Sequence, residues 1–169
     1  MNLRKVVPIT IIAILVLLLP SCFDNPNYPN EPVLTYDNFI IEGDSADLSF
    51  DFTDGDGDIG LTDSEIQPPF NQGSYYHYNL YVQYWEKNDV LGWVPGYDAN
   101  GDSIIFRYRI KPILEGNKEK ALKGNISVSI EPIFYNPTST DSDTIRYRIQ
   151  LIDRALNKSN WMETDVIIR

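Results

Sequence analysis

The chain has 169 residues, a single Cys and 24 acidic against 14 basic residues, which gives a formal charge of −10. This balance argues against nucleic-acid binding, because a protein that neutralises phosphates needs a basic face. One Cys allows neither an internal disulfide nor a Cys-based zinc site, and one His allows no metal site built from several histidines. The length is sufficient for one domain with a buried core.

Residues 1–21 have the composition of a secretory signal peptide. Arg4 and Lys5 precede an apolar run at positions 6–20. That run of about 15 residues is shorter than the roughly 20 that a bilayer-spanning helix needs. We therefore expect cleavage after the run rather than a permanent transmembrane anchor.

The segment Leu18–Cys22, Leu-Leu-Pro-Ser-Cys, resembles the lipobox of bacterial lipoproteins. In that family signal peptidase II cuts before the Cys, whose thiol carries diacylglycerol and whose new amino group is acylated, for example with palmitate. The resemblance implies that Cys22 is lipidated and anchors the mature protein in a membrane. Phe23 follows in place of the Asp of an inner-membrane retention signal, which favours the outer membrane and leaves its periplasmic or cell-surface face open. The alternative is an ordinary signal peptide followed by a chance Cys.

A tether is predicted over residues 22–35. Pro26, Pro29 and Pro32 fall at every third position, which favours an extended polyproline-like spacer over a packed element. The folded domain is then expected to cover residues 36–169.

Beyond the tether, apolar and polar residues alternate with period two, the pattern of half-buried strands. Ala46, Leu48, Phe50 and Phe52 are the clearest example. Seven or eight strands are predicted, over residues 39–42, 45–52, 76–87, 90–94, 104–110, 126–130, 145–151 and 163–169. Short strands without a long helical stretch favour an all-β, immunoglobulin-like β-sandwich, with a closed barrel or jelly roll as the alternative.

An acidic loop follows the second predicted strand and reads Asp54-Gly55-Asp56-Gly57-Asp58-Ile59-Gly60. Carboxylates at alternate positions, separated by glycines that permit tight turns, suit Ca²⁺, which takes about six to eight oxygen ligands. An EF-hand is not expected, because its sixth position requires Gly and here is Ile59. Glu65 has a different predicted role, since Thr62-Asp63-Ser64-Glu65 has the sequence of a capping box. The alternative is a solvated turn that binds no metal.

A second loop is expected to reach the same place. In an immunoglobulin-like sandwich, the loop after the second strand and the loop before the last strand lie at one end. The latter covers residues 153–160 here, so Asp153 and Asn157 are predicted to join the three loop carboxylates around one Ca²⁺. Asp37, near the first strand, is a further candidate ligand.

These loops carry a resemblance to a group of Bacteroidota-type surface lipoproteins. The shared segments are D-G-D-G-D-I-G, the I-K-P and A-L-K-G stretches at 110–112 and 121–124, and D-R-A-x-N-x-S-N at 153–160. More distantly, the acidic loops are similar to those of cadherin-like and PKD-like modules, some of which bind calcium between strands. The resemblance implies a lipid-anchored immunoglobulin-like domain and no particular activity. Leu156 stands where the group usually has Gly, which disfavours a left-handed turn there.

Eight aromatic residues crowd positions 75–97. With Tyr78, Leu80, Val82 and Tyr84 pointing inward, the opposite face carries Tyr81 and Trp85, and Trp93 lies on the neighbouring strand. Such a stripe stacks on sugar rings or anchors a protein partner when it is exposed. The alternative is that these aromatics are covered or fill the core.

Two classes of function remain open from the sequence. The first is a calcium-stabilised adhesion or binding module displayed on a membrane, with an unidentified protein or glycan ligand. The second is a glycan-handling surface protein, either a sugar-binding accessory or a hydrolase. An enzyme is not expected, because His77 has no nucleophile motif around it and most carboxylates fall in turns or on outward faces. Two carboxylates alone suffice for a glycosidase, so that alternative stays open.

Three short segments resemble the Asp-Ser/Thr-apolar sequon of Bacteroidota O-glycosylation. They place candidate modification sites at Ser45, Ser103 and Thr144. Each also falls where a strand is predicted to begin, and the same residue pattern is expected there without any modification.

Overall fold

The computed structural model describes residues 27–113 and 120–169. The predicted signal peptide, Cys22 and the first tether residues lie outside these ranges. Within them, no helix has the length and apolar character needed to cross a membrane.

The described residues form nine strands. In chain order these are β1 (Val33–Glu42), β2 (Ser45–Asp54), β3 (Leu80–Asn88), β4 (Gly92–Pro95), β5 (Ile105–Tyr108), β6 (Leu122–Ile130), β7 (Thr144–Leu151), β8 (Met162–Glu163) and β9 (Ile167–Ile168). A 3₁₀ turn at Tyr75–His77 precedes β3. Sheet A has the order β1-β2-β6, and sheet B has the order β4-β3-β7-β8, with β5 also paired to β3 and β9 to β7.

This architecture confirms the predicted all-β sandwich. All strand pairs are antiparallel, and no ladder in the described residues joins sheet A to sheet B, as a closed barrel would require. The first, second and sixth strands oppose the third, fourth, seventh and last strands, which is the division expected of an immunoglobulin-like sandwich.

The core lies between the two sheets and consists of the residues that alternate inward. All four predicted inward residues of β2 are at most 2% exposed, and so are the four alternate apolar residues of β7. Tyr147 lies at the centre, with its ring 5.5 Å from that of Phe39 and 5.7 Å from that of Tyr84. Burial of each large apolar side chain contributes about 1.5–3 kcal/mol. The alternating apolar residues therefore stabilise the packing of the two sheets against each other.

The first and the last predicted strands differ from the observed ones. β1 begins at Val33 rather than Phe39, since Leu34 packs inward and a bulge between Tyr36 and Asn38 shifts the alternation. The final predicted strand is divided into the two-residue strands β8 and β9.

The third predicted strand begins four residues too early. Ser74 caps the 3₁₀ turn by accepting a hydrogen bond from the Tyr76 amide at 3.1 Å, so the extended backbone starts only at Leu80. Tyr78 is therefore 37% exposed, and its predicted inward position is wrong. Leu80, Val82 and Tyr84 point inward as predicted.

Candidate metal centre

Four carboxylates meet at one end of the sandwich, where β2 and β7 both end. One oxygen from each of Asp54, Asp56, Asp58 and Asp153 lies within 4.8 Å of the other three. Oxygens bound about 2.3–2.6 Å from a single Ca²⁺ are at most about 5.2 Å apart, so this spacing is compatible with one coordination shell. The structure thus brings together residues that are about 100 positions apart in the chain, as the sandwich topology requires.

Two of the four residues, Asp54 and Asp153, are deeply buried, Asp56 and Asp58 are half-buried, and the cluster is incompletely hydrogen-bonded. Asp54 is 0% exposed and Asp153 is 1% exposed. Both oxygens of Asp54 are without a hydrogen-bond partner among the described residues, as is one oxygen each of Asp56 and Asp58. Buried polar groups are normally satisfied, and an isolated buried charge is far more costly than an unpaired neutral group. The arrangement therefore suits a cation at the centre of the four side chains.

The pKa values of three of these carboxyl groups are raised, as expected for buried groups of like charge. Burial first, and then the charges of Asp56, Asp58 and Asp153, together raise the pKa of Asp54 to about 7. Burial likewise raises the pKa of Asp153 to about 6, although hydrogen bonds from Asn157 oppose the shift. The pKa of Asp58 is raised by burial and then by Asp56. A divalent ion would relieve both the desolvation and the repulsion.

Asn157 lies beside Asp153 and orients it. Its backbone amide donates to Asp153 Oδ1 at 2.7 Å, and its side-chain Nδ2 donates to Asp153 Oδ2 at 2.9 Å. Asn157 therefore orients a candidate ligand, as residues around metal sites usually do.

Asp37 lies at the bulge of β1 and accepts a hydrogen bond from Asn125 instead of joining the cluster.

Arg154 joins the two loops, and sequence reasoning did not single it out. Its amide donates to the Asp58 carbonyl at 3.3 Å, and its Nη2 donates to the Gly60 carbonyl at 3.1 Å. Its Nε lies 3.0 Å from Glu65 Oε1. The second Glu65 oxygen accepts the Thr62 amide at 2.6 Å, which is the contact predicted from the capping-box sequence. The acidic loop lacks local basic residues, so its counter-charge comes from the opposite loop.

The glycines of the acidic loop allow neighbouring backbone to approach closely. The Gly55 amide donates to the Pro29 carbonyl at 2.8 Å, and a Cβ at Gly55 would overlap the Tyr28 carbonyl oxygen. Asn160 of the second loop is bonded twice to the backbone of Leu34, at 2.8 and 3.1 Å. The carboxylate loops are therefore bonded to the segment that leads into β1 and to the start of that strand.

Leu156 has a φ of 72° and is the only described non-glycine residue with a positive φ. Its amide donates to the Asp153 carbonyl at 3.3 Å, so the left-handed turn closes the loop that presents Asp153. A branched side chain in this conformation costs about 1–2 kcal/mol. The left-handed turn therefore forms even though Leu156 disfavours it, and the strained residue lies near the candidate ligand Asp153.

The aromatic residues singled out in the sequence do not form an open platform. Tyr81 was predicted on an exposed face but is 5% exposed, because Tyr75 of the preceding loop stacks on it at 4.8 Å between ring centroids. Trp85 is half-buried beneath Arg148 at 5.0 Å, and Trp93 beneath Arg146 at 4.3 Å.

The three sequon residues lie where strands begin or pair. Ser45 starts β2 and Thr144 starts β7, and both are half-buried. Ser103 is exposed and forms an isolated bridge with Tyr97. Ser45 and Thr144 thus lie at strand starts, and modification of the three residues stays a prediction.

Neither a protein-family model, nor a curated protein, nor a solved structure matches this chain. The fold and the site define the class of the molecule as a β-sandwich module with a buried tetra-aspartate cluster beside its N-terminal tether.

Proposed function

We propose that the protein is a lipid-anchored outer-membrane lipoprotein whose β-sandwich is a binding or adhesion module stabilised by one Ca²⁺. The ligands are Asp54, Asp56, Asp58 and Asp153. The observation that carries the metal proposal is the Asp54 carboxylate, which is fully buried, has no hydrogen-bond partner among residues 27–113 and 120–169, and faces three other carboxylates.

Calcium fits this donor set better than the other common ions. All four side chains offer hard oxygen ligands, which suit Ca²⁺ or Mg²⁺ rather than soft transition metals. Mg²⁺ demands a tighter octahedron and keeps its water, whereas Ca²⁺ accepts irregular shells that include backbone carbonyls. Four carboxylates held by two irregular loops therefore favour Ca²⁺ over Mg²⁺.

The position of the metal site supports the proposal that the domain is held at the membrane with its opposite end exposed to a partner. The ion would tie the tether, the acidic loop and the Asp153 loop together at the membrane-facing end. The opposite end carries the β3–β4 turn, where Val90 is 89% exposed and Leu91 is 75% exposed. Exposed apolar side chains at the far tip are suited to contact a partner.

We expect calcium to raise the melting midpoint of the purified protein by about 3–6 °C. At a free concentration ten times a Kd of about 10⁻⁴–10⁻³ M, binding contributes roughly 1.4 kcal/mol of stability. Asp56→Asn should remove most of this rise, and it should leave the metal-free stability unchanged or higher because repulsion decreases. Thermal melts in EDTA and in calcium, with titration calorimetry, make the measurement.

The matched control for this variant is Asp63→Asn, since Asp63 is exposed and forms a salt bridge with Lys111 at 3.1 Å, away from the cluster. That control should respond to calcium as the wild-type protein does. Equal midpoints with and without calcium, together with no heat of binding, would show that the acidic loop is only a turn.

Cys22→Ala is expected to abolish lipidation and release the protein from the membrane fraction. The reason is that the only thiol of the chain follows the lipobox-like Leu-Leu-Pro-Ser sequence. Metabolic labelling with a palmitate analogue, followed by membrane fractionation, measures both effects. Ser21→Ala is the matched control and should still be labelled, because a small residue remains before the Cys. An unlabelled wild-type protein would contradict the anchor.

A further inference from the structure

A concave pocket of about 440 Å³ opens on the outer face of sheet B. Its floor is formed by Tyr81 and Gln83 of β3 and by Arg107 of β5, which point away from the core. One wall is the loop at 72–78, and the other is Trp161 beside β8. This concavity lies outside the tetra-aspartate cluster and contains none of its side chains.

The walls expose aromatic rings to solvent. Tyr75 is 49% exposed, Tyr78 is 37% exposed and Trp161 is 39% exposed. Flat rings in a pocket pack well against the apolar C–H face of a pyranose, while ring hydroxyls of the sugar stay free to form hydrogen bonds. The aromatic content therefore favours a saccharide over a flexible aliphatic ligand.

The polar groups of the pocket are neutral or cationic. Gln72, His77 and Gln83 offer amide and imidazole groups, and none of the described residues that line the cavity carries a carboxylate. The Arg107 side chain is exposed and forms no ion pair among the described residues. In a chain with a formal charge of −10, a pocket whose formal charge is positive selects an anion by charge complementarity.

Further cations border the same aromatic residues. Lys158 Nζ lies 5.2 Å from the centre of the Tyr75 ring, and the Arg148 guanidinium lies 5.3 Å from that of Trp161. Glu163 pairs with Arg148 at 3.2 Å and with Arg146 at 2.6 Å, so both guanidinium groups are engaged. Arg107 is therefore the planar guanidinium available to a carboxylate in the pocket.

The loop that forms the wall is held in place before any ligand arrives. Arg109 donates to the carbonyls of Thr62 at 3.0 Å, Glu65 at 2.8 Å and also His77. The His77 ring is within 3.1 Å of the Phe70 carbonyl. A preorganised wall loses less conformational freedom on binding and so favours affinity.

We propose that this pocket binds a saccharide that carries a carboxylate, such as a uronic acid residue. Arg107 pairs with the carboxylate, and Tyr75, Tyr78 and Trp161 contact the sugar rings. This assignment goes beyond the proposed function, because it concerns a different site and does not require the metal.

The test uses full-length protein in detergent and two probes of equal length, trigalacturonic acid and neutral galactotriose. Calorimetry and tryptophan fluorescence should show that the acidic sugar binds at least about tenfold more tightly, as expected for a hydrogen-bonded charge pair. Arg107→Gln should remove this preference and leave the neutral sugar unaffected. Trp161→Ala should weaken both sugars about five- to tenfold, because it removes a ring that both contact.

Two variants outside the pocket serve as controls. Lys111→Gln removes an exposed cation and Tyr97→Ala removes an aromatic ring that is 52% exposed, and neither should change sugar binding. No binding of the acidic sugar, or an acidic preference that survives Arg107→Gln, would overturn the assignment. The Asp56→Asn variant should still bind the acidic sugar, because Asp56 does not line the pocket. A calcium melt without any shift would contradict the metal proposal and leave the sugar proposal standing. Absence of sugar binding would contradict the sugar proposal and leave the metal proposal standing.

Discussion

Gly57→Ala is expected to abolish calcium binding and to lower the free energy of unfolding by about 3 kcal/mol or more. Gly57 has a φ of 75°, and a Cβ there would overlap the carbonyl oxygen of Lys120. The new methyl group forces the acidic loop away from the backbone against which it packs. Because Asp56 and Asp58 flank this residue, any such movement separates the carboxylates.

Gly92→Ala is the matched control for that substitution. Gly92 has nearly the same φ, 76°, but apart from its chain neighbours no atom of the described part of the chain lies within 4 Å of the position that its Cβ would occupy. Only the backbone strain of about 1–2 kcal/mol is then expected, with calcium binding retained. Urea unfolding and calorimetry of both variants compare the two effects. Equal destabilisation of the two variants would contradict the close packing of the acidic loop.

Calcium affinity is expected to fall about 10- to 100-fold when the pH is lowered from about 7.5 to 5.5. Asp54, with a pKa of about 7, and Asp153, with a pKa of about 6, must both lose their protons before they bind the ion. Protons and calcium therefore compete for the same oxygens. Titration calorimetry at several pH values measures the change, and an affinity independent of pH would contradict it.

The stability of the metal-free protein should decrease as the pH rises, whereas the calcium affinity should increase. The folded-state pKa of Asp54 lies above the ordinary value of 3.8, so the folded chain holds more protons than the unfolded chain between 3.8 and about 7. Its stability is then greatest at low pH and decreases as the pH rises through this window. Melts in metal-stripped buffer measure this slope. Asp54→Asn should flatten it, whereas Asp63→Asn should leave it unchanged.

Much of the fold could be predicted from local pattern. The period-two alternation identified the four inward residues of β2, and all four are buried, as are the four alternate apolar residues of β7. The failures occurred where local hydrogen bonds or backbone irregularities interrupt the alternation. The Ser74 cap delays the start of β3, and the bulge after Tyr36 changes which residues of β1 point inward.

The candidate metal site was predictable in part. The Asp-Gly repeat identified Asp54, Asp56 and Asp58, and topology added Asp153. Arg154 gave no comparable signal, because its bonds to the acidic loop depend on how two distant loops meet. The pocket of Tyr75, Arg107 and Trp161 was missed for the same reason, since its walls come from three separate segments.

The sequence by itself determined the β-sandwich class and the acidic loop, because alternation and glycine spacing act between residues that are neighbours in the chain. Only the tertiary structure decided which carboxylates are buried together and which aromatic rings are covered. Asp54 is buried close to Asp153, which lies in the loop after β7, and Tyr81 is buried beneath Tyr75, which precedes β3. Such effects depend on contacts between distant segments, which determine the local desolvation and charge that raise the pKa of Asp54 to about 7.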